Sequence, residues 1–207
     1  MYYTQNVFQF SSKGMTKFLV SMKPSKIDDL IAANALFRPA TLDSGSTDIY
    51  VDCKLGDSQP KYLWGTYNAM KDTYGVLCYQ EQLAQIAREV GGLSLGEGVK
   101  LVKFISKKKQ EKIDAYKGKF MEGADKNGCP KEQATEIWHM FEVAGGYLFN
   151  KSHATAYAVT AYAGAYLKTN YPTAFYTVAL QWAKDDQIPT LMSEMELCSN
   201  AKIVAPD

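Results

Sequence analysis

This 207-residue chain has no long apolar run, no paired cysteines and few histidines, and each absence excludes a class of protein. No stretch approaches the ~20 apolar residues of a membrane-spanning helix, and the polar first six residues lack the basic and apolar regions of a signal peptide. The four cysteines lie far apart without a Cys-x-x-Cys spacing, which predicts neither a disulfide framework nor a zinc site. Two histidines also argue against a structural metal. We therefore expect a cytoplasmic protein with no membrane partner.

The composition favours a folded protein with an uneven charge. An apolar fraction of 46% suffices for the core of one domain or two small ones. The net charge is only +1, but residues 100–119 contain eight lysines and two acidic residues, a local charge of +6. Lysine concentrated in one segment is typical of a groove that binds nucleic acid or polyphosphate. The alternative for such a run is a solvated helix face.

Apolar periodicity and capping signals predict a mainly α, multi-helical fold with at most a few short strands. One helix is predicted to start at Ser11 or Ser12, and a Ser25-x-x-Asp28 capping pattern opens a second. Further helices are predicted over residues 81–90, 94–105, 107–126, 131–144, 151–170, 173–184 and 188–199. Residues 37–60 have turn chemistry at both ends, so we expect a long irregular connection with at most one short helix.

Side chains that commonly bind phosphate are concentrated at the start of the 151–170 helix. Residues 150–153 are Asn, Lys, Ser and His, shortly after the glycine pair at 145–146. A helix N-terminus presents unpaired N–H groups and a partial positive charge, which predicts an anion-binding site at residues 150–153, the 150–153 corner. The corner indicates a phosphate-bearing ligand. The alternatives are that Ser152 caps the helix, or that Ser152 and His153 form a nucleophile–base pair.

Five motifs in a fixed order carry a resemblance to a known family. They are Phe8-Gln9-Phe10-x-Ser12-x-Gly14-Met15; Ala35-Leu36-Phe37-Arg38-Pro39; Thr73-Tyr74-Gly75-Val76 with Tyr79-Gln80-Glu81-Gln82; Lys107-Lys108-Lys109; and Tyr147-x-Phe149-Asn150-Lys151-Ser152-His153-Ala154. With the later Leu167-Lys168-x-x-Tyr171-Pro172-x-x-Phe175 they cover essentially the whole chain. The chain resembles bacterial C-family replicative DNA polymerases, the DNA polymerase III α subunit, in the fingers region that follows the palm.

The resemblance implies a DNA-dependent DNA polymerase whose fingers bind the triphosphate of the incoming dNTP and part of the primer–template. It places the catalytic aspartates in the palm, so no catalytic residue is assigned here, and Mg²⁺ would be held by the palm of the parent enzyme. The residues agree, because two-metal transfer commonly uses an Asp-x-Asp and the chain has none. Asp28-Asp29 and Asp185-Asp186 fit helix ends or turns. This chain alone is not expected to polymerise.

The matched motifs assign candidate site residues. Nucleotide binding is assigned to Lys103, Lys107, Lys108, Tyr147, Asn150, Lys151, Ser152 and His153. A second set is assigned to nucleotide or DNA contacts: Arg38, Tyr79, Gln80, Gln82 and Lys109. We expect the lysine run and the 150–153 corner to face each other across a common cleft.

Several of these residues have a structural alternative. Tyr79 is either a base-stacking platform or a core aromatic. Arg38 either holds a phosphate bidentately or pairs with Asp43. Glu81 would orient a lysine or cap its own helix.

The chain departs from the family pattern at a few positions. Val102 follows Leu101 where the family usually has the first of two arginines, and Ser106 stands where a glycine is expected. Arg-Pro-Gly-Pro has become Arg-Pro-Ala-Thr at 38–41, and Ser11 replaces a glutamate. A lost arginine in the nucleotide grip would weaken triphosphate binding, which is compatible with a divergent, phage-borne paralogue.

The resemblance also implies an organisation and partners. Residues 1–60 would enter the fingers from the palm and include the long loop, 61–200 would be the helical fingers domain, and 201–207 would begin a following, truncated domain with a strand at 203–207. Implied partners are primer–template DNA, dNTP, the remaining polymerase domains and, in the parent, the sliding clamp and accessory subunits. One alternative is a stand-alone or phage-borne, non-catalytic DNA-binding helical module derived from the polymerase. Another is a helical interaction module whose motifs survive as core packing.

Overall fold

The computed structural model describes residues 3–204, and over this range the chain forms twelve α-helices and no strand. They are α1 Lys13–Met22, α2 Ile27–Leu36, α3 Pro39–Asp43, α4 Ser46–Leu55, α5 Tyr67–Met70, α6 Gln80–Glu89, α7 Leu95–Ser106, α8 Gln110–Lys126, α9 Lys131–Ala144, α10 Lys151–Asn170, α11 Pro172–Gln181 and α12 Ile188–Cys198. A 3₁₀ turn, Lys71–Thr73, follows α5. The predicted mainly α fold is confirmed. Tyr79 and Phe149 form a parallel bridge outside any strand.

Capping side chains explain the starts of α1 and α2. The Ser12 hydroxyl accepts the Met15 N–H at 3.2 Å, which confirms the predicted start of α1. Before α2, a carboxylate oxygen of buried Asp29 accepts the N–H groups of Ser25 at 2.7 Å and Lys26 at 3.2 Å. The sequence pattern had named Asp28 as this acceptor. Asp29 takes the role because α2 begins at Ile27, which places Asp29 at the third helical position.

Residues 37–60 differ from the expected irregular connection, because they contain both α3 and α4. Pro39 is the first residue of α3, a position where the missing N–H costs nothing. Gly45 and Gly56 flank α4 with φ of +72° and +86°. Proline and glycine therefore mark helix ends here, although the same residues are also typical of loops.

The chain divides into two compact units, which we call the central unit, Ile31–Ala154, and the terminal unit, Met1–Leu30 with Thr155–Asp207. In the central unit α6 packs against α7, α7 against α8 and α8 against α9. Phe120, Trp138 and Phe141 lie at the centre of its core with ring centroids 5.4–5.8 Å apart. Because only short connections join these helices, their order along the chain is kept in space.

The terminal unit contains a buried ion pair between Lys168 of α10 and Glu194 of α12. The Tyr176 hydroxyl donates to Glu194 at 3.1 Å. The Lys168 ammonium also donates to the Gln5 carbonyl at 2.7 Å, and the Gln5 N–H donates to Glu194 at 3.3 Å. The ion pair thus joins the N-terminal segment to helices formed more than 160 residues later.

Two expectations fall partly outside the described range. The polar start includes residues 1–2, and the expected strand at 203–207 includes 205–207, which the structure does not describe; residues 203–204 are not in a strand. The division at residues 60 and 200 stays a prediction. None of the described helices is long and apolar enough to cross a membrane.

Candidate functional site

Two of the predicted motifs meet at the bridge between Tyr79 and Phe149. The Phe149 N–H donates to the Cys78 carbonyl at 2.9 Å, and the Gln80 N–H donates to the Phe149 carbonyl at 2.9 Å. Tyr79 directly precedes α6, which begins at Gln80, and Phe149 lies two residues before the start of α10 at Lys151. Because the two segments run in the same direction, the N-termini of these helices lie side by side. The positive ends of two helix dipoles are therefore adjacent.

Asn150 and Glu81 cap the start of α10. The Asn150 Oδ1 accepts the His153 N–H at 2.8 Å and the Ser152 hydroxyl at 2.6 Å. The Glu81 carboxylate, from α6, accepts the Lys151 N–H at 2.9 Å and the Asn150 amide at 3.2 Å. The capping alternative had named Ser152, but the cap is Asn150 because α10 begins one residue later. The expectation of unpaired N–H groups is wrong at Lys151 and His153, whose N–H groups are bonded within the protein.

Two cations lie beside this bridge. The Lys151 ammonium is 5.4 Å from the centroid of the Tyr79 ring, and the Arg38 guanidinium carbon is 4.5 Å from that of Phe149. Both charges act on the buried thiol of Cys78. Burial raises the pKa of that thiol to about 12, and the nearby Lys151 and Arg38 oppose the shift without reversing it. Cys78 is therefore a neutral, buried core residue at physiological pH.

Arg38 is bonded to backbone carbonyls. Its Nε donates to the Ala35 carbonyl at 2.9 Å, and a terminal nitrogen donates to the Tyr147 carbonyl. Burial lowers the pKa of the guanidinium from its usual value, but an arginine remains charged at neutral pH. The structural alternative had named Asp43 as the partner. Arg38 instead links the end of α2 to the segment that leads into α10.

Tyr79 and Gln82 are buried, with 2% and 5% of their surface exposed. The Gln82 Oε1 accepts the N–H groups of Cys78 at 2.9 Å and Tyr79 at 2.8 Å. Tyr79 is thus a core aromatic in this conformation, as its structural alternative stated, and base stacking by its ring stays a prediction. Gln80 is half-buried and bonded to Phe149 through its backbone.

The predicted lysines lie at the end of α7 and in the turn to α8. Lys103, Lys107, Lys108 and Lys109 are all exposed. Lys108 has a left-handed φ of +51°, and the Lys109 N–H donates to the Phe104 carbonyl at 3.0 Å. This geometry ends α7 and projects the 107–109 turn into solvent.

Ile105 and Gly145 connect the lysine turn to the 150–153 corner. A Cβ built on Gly145 would overlap Cγ2 of Ile105, so only glycine permits this contact. Ile105 lies two residues before Lys107, and Gly145 lies two residues before Tyr147. Tyr147 is half-buried, and its hydroxyl is 3.4 Å from the Ser46 hydroxyl. The lysine turn and the 150–153 corner therefore lie in the same unit, and the contact between Ile105 and Gly145 connects the segments that carry them. That they line a common cleft stays a prediction.

The Val102 departure has a local explanation. Val102 is 7% exposed and belongs to the hydrophobic core of the central unit, next to buried Leu101. A charged side chain at this position would have to leave the core to remain solvated. Valine therefore suits this position in the helix.

Glu81 is a residue whose contact with the start of α10 the sequence analysis did not identify. It was expected to orient a lysine or cap its own helix; its carboxylate accepts the N–H of a lysine, Lys151, 70 positions away, and caps α10 and not α6. No local pattern reports a contact at that separation. The only sequence signal was its place inside a motif of the matched family.

The other cavities of the described structure do not contain the predicted site residues; a polar one of about 350 Å³ is lined by residues such as Glu97, Lys119 and Lys126. An apolar cavity of about 700 Å³ in the terminal unit is lined by residues such as Phe8, Tyr171 and Trp182, and it contains none of the predicted site residues. Residues 3–204 bring together no group of three His, Cys, Asp or Glu side chains suited to hold a metal. The arrangement around the Tyr79–Phe149 bridge is thus the candidate site.

Comparison with known proteins shows what the chain is similar to. A family described as the bacterial DNA polymerase III alpha subunit finger domain matches residues 2–128. Three relatives carry the name DNA polymerase III subunit alpha. The Aquifex aeolicus protein is 39% identical over 88% of this chain, the Treponema pallidum protein 41% over 92%, and the Pseudomonas aeruginosa protein 38% over 99%. The chain spans 16%, 16% and 18% of these relatives, respectively.

Proposed function

Because this chain belongs to the family of bacterial DNA polymerase III alpha subunit finger domains, we propose that it forms the fingers region of a DNA-dependent DNA polymerase. In this role it binds the triphosphate of the incoming dNTP and part of the primer–template during DNA replication. The catalytic aspartates of the palm belong to other parts of the polymerase. The fingers contribute by positioning the nucleotide, which lowers the barrier although no bond is made by them.

The convergence of three separated motifs at the Tyr79–Phe149 bridge carries the proposal. It brings the cations Arg38 and Lys151 next to the N-termini of α6 and α10, where the two charges and the positive helix ends together favour a polyanion. Ser152 and His153 are exposed on the first turn of α10 and would join Lys151 on the phosphates. Asn150 organises that turn by capping it. The exposed lysines at 103 and 107–109 would add further phosphate contacts.

Other features of the parent enzyme belong to the same proposal. Mg²⁺ would be held by the palm of the parent enzyme, as the family resemblance implies. We assign no metal step to this chain and propose that it does not polymerise by itself. The proposed partners of the longer protein are its remaining domains, the sliding clamp and accessory subunits, and the proposed location is the cytoplasm.

Replacing Lys151 in the longer polymerase that carries this chain tests the proposal. A hydrogen bond to a charged group contributes about 1.5–3 kcal/mol, so Lys151→Ala should raise the KM for dNTP by about 10- to 100-fold. The increase should be equal for all four dNTPs, because a phosphate contact carries no base information. Lys131→Ala, an exposed lysine of α9, is the control. An unchanged KM, or an effect confined to one base, would contradict the role.

The exposed lysine turn favours a second candidate, a stand-alone or phage-borne, non-catalytic DNA-binding module derived from the polymerase. Such a protein would bind primer–template DNA through its phosphates without needing a palm. The extent of the reading frame discriminates the two candidates. A frame that continues upstream through an Asp-x-Asp strand would eliminate the second one.

A further inference from the structure

We propose that Glu81 is a positioning residue for the start of α10, and that it acts on nucleotide binding through Asn150 and Lys151. The inference rests on the proposed function of the 150–153 corner. Glu81 itself need not touch the nucleotide. Its contribution is to hold the side chains that do.

The first step of the argument is the orientation of the Asn150 amide. Its Nδ2 donates to Glu81 at 3.2 Å, so its Oδ1 faces the helix and accepts the His153 N–H at 2.8 Å and the Ser152 hydroxyl at 2.6 Å. An asparagine amide that turned over would present donors to the helix N–H groups and lose the cap. The Glu81 carboxylate can only accept, so it selects the orientation that caps α10.

The second step is that the start of α6 holds Lys151 at two points. Glu81 accepts the Lys151 N–H at 2.9 Å, and the ammonium lies 5.4 Å from the ring of Tyr79. Tyr79 is itself fixed, because it is buried and its N–H donates to Gln82. A long, flexible side chain held in this way loses less conformational freedom when it contacts a phosphate.

The direction in which nucleotide binding changes when Glu81 is removed distinguishes a positioning role from a purely electrostatic one. Glu81 is a negative group next to the place where we expect phosphates. If it acted only through its charge, its removal would strengthen nucleotide binding because a repulsion would disappear. If it positions Asn150 and Lys151, its removal weakens binding. We predict the second outcome.

Hydrogen exchange in the 207-residue chain tests whether Glu81 holds the start of α10, and it requires no enzyme activity. Glu81→Ala should speed the exchange of the Lys151 and His153 amides, since the first loses its acceptor and the second its fixed cap. Glu81→Gln keeps a carbonyl acceptor and should restore much of the protection. Glu89→Ala, at the other end of α6, is the matched control. Unchanged exchange in Glu81→Ala would overturn the proposal.

Kinetics of the longer polymerase tests the link to the nucleotide. Glu81→Ala should raise the KM for all four dNTPs by about tenfold, with kcat much less affected and Glu81→Gln in between. Because Glu81 acts partly through Lys151 and partly through Asn150, the Glu81→Ala/Lys151→Ala double variant should be less impaired than the product of the two single effects predicts. Additive effects, or a lower KM in Glu81→Ala, would refute the inference.

The outcomes also separate this inference from the proposed function. If Lys151→Ala leaves the KM unchanged, the nucleotide-binding role of the corner fails, whatever Glu81 does. If Lys151→Ala raises the KM and Glu81→Ala does not, the function stands and the positioning role is overturned.

Discussion

Gln82 is buried beneath the start of α6, and both ends of its side-chain amide are bonded. Its Oε1 accepts two N–H groups, those of Cys78 and Tyr79, and its Nε2 donates to the Thr73 hydroxyl at 2.7 Å and the Ala69 carbonyl at 3.1 Å. These partners have little access to water, so the amide takes the place of solvent. The family match assigned this residue to nucleotide or DNA contacts. Its bonding supports a structural role.

Gln82→Ala should therefore destabilise the protein by about 2–4 kcal/mol, because it leaves buried N–H groups without an acceptor. The free energy of unfolding from urea denaturation measures this. Gln85→Ala is the control, since Gln85 lies on the same helix, is half-buried and, within residues 3–204, bonds through its side chain only to Glu89 at 2.9 Å. Equal losses of stability in the two variants would contradict the role given to Gln82.

Glu97 makes the start of α7 sensitive to pH. Hydrogen bonds from the N–H and hydroxyl of Ser94, with Lys119 nearby, lower the pKa of this carboxyl from 4.5 to about 2. The folded protein therefore favours the ionised form, and the resulting stability is present above about pH 4.5 and lost as the pH falls towards 2. Glu97 and Ser94 form a reciprocal capping box.

Glu97→Gln should lower the melting temperature at pH 7, and the difference from the unmodified protein should shrink as the pH falls from about 4.5 to about 2. Circular dichroism melts over a pH series would measure it. Repeating the comparison in a Ser94→Ala background should reduce the difference only in part, since the hydroxyl is lost while the backbone N–H of residue 94 still donates to Glu97. A difference that does not change with pH would contradict the assignment.

In the turn between α7 and α8 the observed helix boundaries differ from the predicted ones. The sequence predicted helices over 94–105 and 107–126, but α8 begins at Gln110, which leaves Lys107, Lys108 and Lys109 between the helices. The left-handed φ of Lys108 ends α7 without the glycine that usually takes this conformation. The lysines are therefore presented by a sharp turn and not by one face of a helix.

The turn predicts how DNA binding depends on salt. Replacing residues 107, 108 and 109 with Gln should weaken binding of the 207-residue chain to primer–template DNA. The slope of log affinity against log salt should fall by about 0.9 for each phosphate that these lysines no longer neutralise. Fluorescence anisotropy over a salt series measures the slope. A control triple replaces the exposed lysines 71, 126 and 131. An unchanged slope would mean that the turn is merely solvated.

At the scale of the whole molecule, the candidate nucleotide-binding residues all fall within one unit. Every one of them lies between residues 31 and 154, the central unit. The terminal unit is built from both ends of the chain and contains the Lys168–Glu194 ion pair. Burying two charges costs desolvation energy that only their pairing and hydrogen bonds offset.

Breaking that pair should destabilise the protein strongly. Lys168→Met leaves the Glu194 carboxylate buried without its cation, which should cost about 3–5 kcal/mol. The double variant Lys168→Met/Glu194→Leu should recover part of this stability, since no buried charge remains. Urea denaturation measures both. As a control, Lys117→Met breaks an exposed ion pair with Glu142 and should cost less than about 1 kcal/mol. If Lys168→Met and Lys117→Met destabilised the protein equally, the argument would be contradicted.

Local signals in the sequence determined most of the helices. The predicted ranges 131–144 and 151–170 agree with α9 Lys131–Ala144 and α10 Lys151–Asn170. Their apolar spacing, caps and breakers all act within a few residues, which is why they can be recognised without a structure. The same local signals failed for α3 and α4, because proline and glycine mark helix ends as well as loops.

The sequence by itself also determined the family and the residue types available for phosphate contacts. Only the tertiary structure decided which of those residues lie close together and which contacts each one makes within the protein. It brought Glu81 onto the start of α10, turned Arg38 towards backbone carbonyls and buried Tyr79 and Gln82. These outcomes depend on contacts between residues as many as 109 positions apart, and such contacts form only when the helices pack.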